Sequence, residues 1–159
     1  MRVPMMLGRA ACGVAAGLLV AAAPALAQSS DALMAKYPAG APYKGKPAAV
    51  DLASHKDARL FRTRLREAAP TGPNFAGHLT VVTWGCGTSC QTVALIDARN
   101  GQVYFGPTAS LGVKHKLESR LLVVNPPEEI KQAYGDEPPD WGKPEYYVWN
   151  NGRLTKIKP

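Results

Sequence analysis

The chain has 159 residues, with 19 Lys plus Arg against 12 Asp plus Glu for a net charge of +7, 46% hydrophobic residues and three cysteines. That length suits one ordinary domain rather than two. The composition excludes a disordered chain, and beyond residue 27 no apolar stretch is long enough to span a bilayer, which excludes an integral membrane protein.

Residues 1–27 have the order of a secretory signal peptide. Arg2 and Arg9 stand near the start, residues 10–23 are apolar or Gly apart from one cysteine, and Ala25-Leu26-Ala27 is a small-residue cleavage site. Removing this segment excludes a cytosolic protein, lowers the net charge to +5 and lowers the apolar share to about 40%. Cys12 leaves with it. Gly8-Arg9-Ala10-Ala11 is no lipobox, so the mature chain is expected to carry neither a lipid nor a transmembrane anchor and to be periplasmic or secreted.

Residues 28–50 contain Pro38, Pro42 and Pro47 with Gly40 and Gly45, and are expected to form an extended Pro/Gly-rich arm lying on the domain. One domain then covers residues 51–159. Residues 51–69 predict an amphipathic helix with Ser54 as cap and Ala58, Phe61, Leu65 and Ala68 as its apolar stripe, and Arg59, Arg62 and Arg66 form a cationic ridge opposite. Pro70 and Gly72 end it. From His78 the period changes to two, and strands are expected over residues 78–84, 91–96, 103–105, 113–117 and 121–124. Residues 128–143 are expected to be an acidic surface loop. Tyr146-Tyr147-Val148-Trp149-Asn150, then Asn151-Gly152, then residues 153–158 predict a hairpin closed by a tight turn. The expected fold is α+β: a single antiparallel β meander of about six strands with one N-terminal amphipathic helix packed on the sheet, either open or curled toward a barrel.

The densest special chemistry is Trp84-Gly85-Cys86-Gly87-Thr88-Ser89-Cys90-Gln91, between two strands. Two cysteines in an oxidising compartment point to a disulfide between Cys86 and Cys90. A redox dithiol is one alternative, although it would want a helix N-terminus or a nearby cation to lower a thiol pKa. A soft-metal site is another, with Cys86, Cys90 and His78 as ligands for copper. Those ligand types resemble the set in copper-delivering Sco-type proteins, whose thioredoxin fold the element order here does not share. The candidate binding loop comprises Trp84, Gly85, Gly87, Thr88, Ser89 and Gln91. His55 and His115 are expected to be solvated, and Asp51 and Asp97 to serve as cap and turn residues. No nucleophilic triad, phosphate loop or zinc motif is present in the sequence, so no catalytic residue is assigned.

Phe75-Ala76-Gly77-His78, followed by Val82-Thr83-Trp84-Gly85-Cys86-Gly87-Thr88-Ser89-Cys90-Gln91, resembles an uncharacterised family of small exported proteins of Gram-negative bacteria that share this FAGH…WGCGT-x-C motif. Residues 119–127 and the terminal Tyr-Tyr-Val-Trp hairpin extend the resemblance over most of residues 73–158. It implies a shared fold and export, and carries no activity.

Residues 56–66 hold five basic residues and one acid, whereas residues 128–145 hold six acids and two bases. A polarised surface attracts charged partners in an oriented way. Export and the lack of aromatics interleaved with the ridge argue against nucleic acid. An envelope protein or an anionic cell-wall polymer fits the compartment. The expected function is therefore a non-catalytic, disulfide-stapled module that binds an envelope protein or glycan, and the alternative is a thiol redox or copper-binding protein.

Overall fold

The structure, a computed structural model, describes residues 29–135 and 137–159. The signal peptide expected over residues 1–27, with Cys12, lies outside the described residues. The architecture is α+β, but the strands fall into two antiparallel sheets rather than one meander of six. β1 (Leu79–Gly87), β2 (Cys90–Asp97) and β3 (Val103–Phe105) form the first sheet. β4 (Val113–Lys114), β5 (Leu121–Val124), β6 (Glu145–Asn150) and β7 (Arg153–Ile157) form the second. Three α-helices accompany them among the described residues: α1 (Ser30–Met34), α2 (Arg62–Ala68) and α3 (Pro127–Tyr134).

The split has a physical cause in two places. Gly106 N–H still donates to the Val93 carbonyl, but past Pro107 the chain bulges out of register, makes one further exchange with β2 through Ala109 opposite Gln91, and then crosses to the second sheet. β5 reads Leu-Leu-Val-Val and is buried on both faces, which a sheet with one solvated face cannot provide. The sheets therefore stack. Leu79, Val81, Val93 and Leu95 of the first meet Leu122, Val124 and Trp149 of the second, with Phe75 and Ala109 completing that core. The outer face of the first sheet, Ala94, Ile96 and Val103, is covered by Leu65, Ala69 and Ala58. The outer face of the second, Leu121, Val123 and Val148, is covered by Leu33 and Met34 of α1.

The arm expected over residues 28–50 is extended only in its second part. Its first part is α1, capped by the Ser29 hydroxyl on the Ala32 N–H, with Leu33 and Met34 at four-residue spacing from Tyr37 and Pro38. Thereafter the arm crosses the molecule. Ala39 N–H donates to Glu118, Tyr43 N–H to Gly77, Ala48 N–H to Ala98 and Asp51 N–H to Gly101. Gly101 has φ +78°, and a Cβ there would stand 1.9 Å from the Ala49 carbonyl oxygen, so glycine is required where the arm passes the β2–β3 turn.

The helix expected over residues 51–69 is shorter. Turns occupy residues 52–61, and α2 begins at Arg62. Ser54 does not cap it: its hydroxyl donates to the Asp51 carbonyl and accepts from the Val103 N–H of β3. Asp51 and His55 side chains likewise hold the Ala53 and Asp57 N–H groups, so local side-chain bonds displace helical ones. The apolar stripe keeps its burial, since Ala58 and Leu65 are fully enclosed, and the ridge Arg59, Arg62 and Arg66 is exposed. The acidic loop expected over residues 128–143 contains α3. Pro127 sits in its first turn with Glu128 and Glu129, Ile130 is buried, and Gly135 at φ +67° ends it. The terminal hairpin follows expectation, with Asn150 opposite Arg153 and Asn151 and Gly152 both at positive φ.

The contribution of α1 is measurable by urea denaturation. Met34→Ala is expected to cost about 2–5 kcal/mol, because Met34 is 1% exposed in the third core. Leu60→Ala, at a side chain 73% exposed, is expected to stay within about 0.5 kcal/mol.

Candidate functional site

The segment around the cysteines is the end of the β1–β2 hairpin. Pairing runs from Leu79 opposite Asp97 to Gly85 opposite Gln91, and a bulge at Cys86 brings Gly87 opposite Cys90. Thr88 and Ser89 make the turn, Ser89 in the left-handed region at φ +49°. Cys86 and Cys90 are joined by a disulfide with Cα atoms 5.1 Å apart, so neither sulfur is a free thiolate. Five consecutive residues at the tip, 85–89, are exposed.

The sequence-assigned loop residues divide into two groups. Trp84 is not part of the exposed tip: its ring packs between Phe61 at 4.8 Å and Phe105 at 6.1 Å, and its indole Nε1 is buried without a hydrogen-bond partner among the described residues. Gln91 is half-buried and exchanges both backbone bonds with Ala109, tying the hairpin to the loop after β3. Gly85, Gly87, Thr88 and Ser89 form the accessible surface, and a shallow cavity beside them reaches Thr83 and Ser110.

β1 is an edge strand, and its outer edge is only partly covered. Val81 N–H donates to the Asn74 side chain, whose amide donates back to the Val81 carbonyl, and Leu79 bonds Phe75. Odd-numbered residues thus point their backbone groups away from β2. By the same alternation Thr83 and Gly85 point outward, and neither has a partner there among the described residues. The open edge could therefore pair with an extended chain.

His78 stands at the opposite end of β1, eight residues from Cys86 or roughly 25 Å along a strand. The structure does not bring the three supposed copper ligands together. Among the described residues there is also no group of three or more His, Cys, Asp or Glu able to hold a metal ion. No family model, curated protein or solved structure matches the chain.

His78 instead faces Asp97, with Nε2 3.9 Å from Oδ2. Asp97 makes the expected turn, and its side chain, 2% exposed, is also gripped by Arg99, through Nη2 at 2.6 Å, Nε at 2.9 Å and the backbone N–H at 2.9 Å. Burial pushes the Asp97 carboxyl up, but the Arg99 bonds and charge outweigh it and hold the group below the usual 3.8. His78 is held below 6.5, first by burial and then by the Arg99 charge, against the pull of Asp97 and of a bond to the Ala76 carbonyl. His115 is not solvated: its Nδ1 donates to the Asn74 carbonyl at 3.1 Å, and burial lowers its pKa as well. The missed signal was Ala76-Gly77 before His78. Both residues are left-handed, Ala76 at φ +50° and Gly77 at φ +77°, and they turn His78 toward Asp97.

Two consequences are testable. Reducing the disulfide, or Cys86→Ala with Cys90→Ala, opens only a five-residue ring and is expected to cost about 2 kcal/mol or less in denaturant melts, because the ladder from Leu79 to Gly85 persists. His78 and His115 both have folded pKa values below their unfolded ones, so the folded state favours their neutral forms. The stability they contribute is complete above about pH 6.5 and is lost as pH falls through the lowered folded values. The double variant His78→Gln, His115→Gln is expected to flatten a stability profile recorded from about pH 7 to about pH 5.

Proposed function

We propose that this chain is an exported, non-catalytic module that binds an envelope protein or glycan through the tip of the β1–β2 hairpin. The observation that carries this reading is Gly85. Its φ is not left-handed, and a Cβ built on it would meet nothing within 4 Å, so neither conformation nor packing within the chain calls for glycine. Glycine inside a strand costs roughly 0.5–1 kcal/mol relative to alanine. A bare backbone at that point is useful to something that approaches it from outside.

The disulfide supports the same reading. It adds little to global stability, and its effect is to hold the turn in one conformation, which lowers the ordering cost of binding. The outward Thr83 and Gly85 backbone groups favour an extended protein segment added along β1 over a glycan, since strand addition uses this donor and acceptor spacing. Export follows from the signal at residues 1–27, and the cationic ridge of Arg59, Arg62 and Arg66 would speed encounter with an acidic partner in a salt-dependent manner.

The test uses immobilised mature protein and envelope extract, comparing wild type with Gly85→Val. The valine side chain enters open space, so the thermal midpoint is expected to stay within a few degrees. Partners retained by wild type are expected to be lost from the variant, and Thr88→Lys is expected to weaken them. Equal retention by Gly85→Val, or no retention by wild type, overturns the reading.

A further inference from the structure

Away from the tip, a groove follows the seam where β3 of one sheet meets the β6–β7 turn of the other. It comprises two adjoining cavities of about 410 and 420 Å³ that share Tyr104, Trp149 and Gly152. The first is polar, with His78, Asp97, Arg99, Arg120 and Asn151 on its wall. The second is largely aromatic, with Phe105, Tyr147 and His55. Each lies within the roughly 300–1,000 Å³ typical of small-molecule sites.

The charges in the polar half do not cancel. Asp97 and Arg99 form a closed pair, and no other carboxylate lines the cavity. Arg120 has no acidic partner among the described residues. Its Nε donates to the Pro38 carbonyl, and its Nη1 donates to the Trp149 carbonyl and the Asn150 Oδ1, all neutral acceptors. Nη2 has no partner there. The guanidinium is thus held rigidly from three directions and keeps one positive charge uncompensated at the wall of a cavity. A carboxylate is the complementary group, through charge-assisted bonds.

The remaining lining narrows the ligand further. The Asn151 amide both donates and accepts, and the His78 ring contributes a further nitrogen to the same wall. The Tyr104 hydroxyl has no hydrogen-bond partner among the described residues and lies close to Gly152 at the junction of the two cavities. Mixed donors and acceptors beside an aromatic wall suit hydroxyl groups on a ring and would be left unsatisfied by an apolar side chain.

We propose that this groove binds an acidic sugar, a uronic acid or comparable carboxylate-bearing pyranose, with its carboxylate on Arg120 and its hydroxyl groups on Asn151, His78 and Tyr104. This site is independent of the hairpin tip and does not rest on the tip reading.

Titration of the mature protein with D-glucuronate, followed by chemical shifts of the tryptophan indole and arginine Nε–H resonances, tests it. Saturable shifts are expected for the Trp149 indole and Arg120 Nε. D-glucose and acetate are expected to bind at least about tenfold more weakly, since each lacks one half of the recognition. Arg120→Met is expected to weaken glucuronate roughly tenfold to a hundredfold, the loss of a charge-assisted contact. Asn151→Gly suits the left-handed turn position, keeps the hairpin, and is expected to weaken binding several-fold, so an effect persists even if Arg120→Met disturbs the fold. Gly85→Val is expected to bind glucuronate like wild type, which separates failure of this site from failure at the tip. Absence of saturable shifts, equal binding of glucose or acetate, or N-acetylphenylalanine binding as tightly as glucuronate overturns the proposal.

Discussion

The contact between Ala76 and Ser119 holds the two sheets and the arm in one arrangement. Ala76 N–H donates to the Ser119 carbonyl and Gly77 N–H to the Leu117 carbonyl, which ties the entrance of β1 to the entrance of β5. The Ser119 hydroxyl, 1% exposed, donates toward the Met34 and Tyr37 carbonyls and accepts from the Leu121 N–H. A single serine therefore satisfies the end of α1, the start of the arm and the start of β5. Ala76 adopts a left-handed conformation that costs an L-residue about 1–2 kcal/mol, and it is retained because its methyl group fills the inter-sheet core while its N–H completes this node.

With the sheets pinned at that corner, the rest of the surface divides by distance from it. Near the node lie Asp97, buried and held by Arg99, the half-buried His78 that faces it, and Arg120 with its three neutral acceptors. Far from it the β1–β2 hairpin ends in an exposed tip, residues 85–89. The charge asymmetry in the sequence is also reshaped. Glu128 pairs with Lys114, Asp140 with Lys143 and Glu145 with Lys156, so much of the acidic stretch is answered locally. Lys114 and Lys116 additionally reach Asp31, fastening α1 to β4. Among the described residues the arginine ridge on and before α2 has no ion-pair partner, and the basic face is the half of the asymmetry that survives folding there.

Elements built from local periodicity and turn chemistry were legible. The β1–β2–β3 meander, the Asn151-Gly152 hairpin and the Cys86–Cys90 pairing all depend on residues close in sequence. What was hidden depended on partners far along the chain. Five residues of α1 carry too little period to stand out, and their burial is decided by β5, about ninety residues away. Ser54 has the sequence of a helix cap, but Val103 offered it a better N–H. Leu121-Leu122-Val123-Val124 lacks alternation, which was the available sign that a second sheet would cover its other face. At the groove, Asp97 and Asn151 had the local chemistry of turns, and they do make turns; that the same side chains converge with Arg120 is a property of sheet stacking.

The two candidate surfaces differ in how they are made rigid, and this bears on what each can recognise. The tip is fixed covalently and locally, by a small ring and left-handed residues, and its backbone groups remain unspent. Such a surface suits an extended chain, because the outward N–H and C=O groups of Thr83 and Gly85 stand at strand spacing. In the groove the backbone is already consumed by sheet and arm, and side chains with fixed bonds supply the chemistry. Arg99 is held by Asp97, Arg120 by three carbonyl oxygens, and Tyr104 by Trp149, whose ring centroid is 4.9 Å away. Pre-bonded side chains of this kind suit a compact ligand with groups at fixed separations, since little rotamer freedom is left to lose on binding.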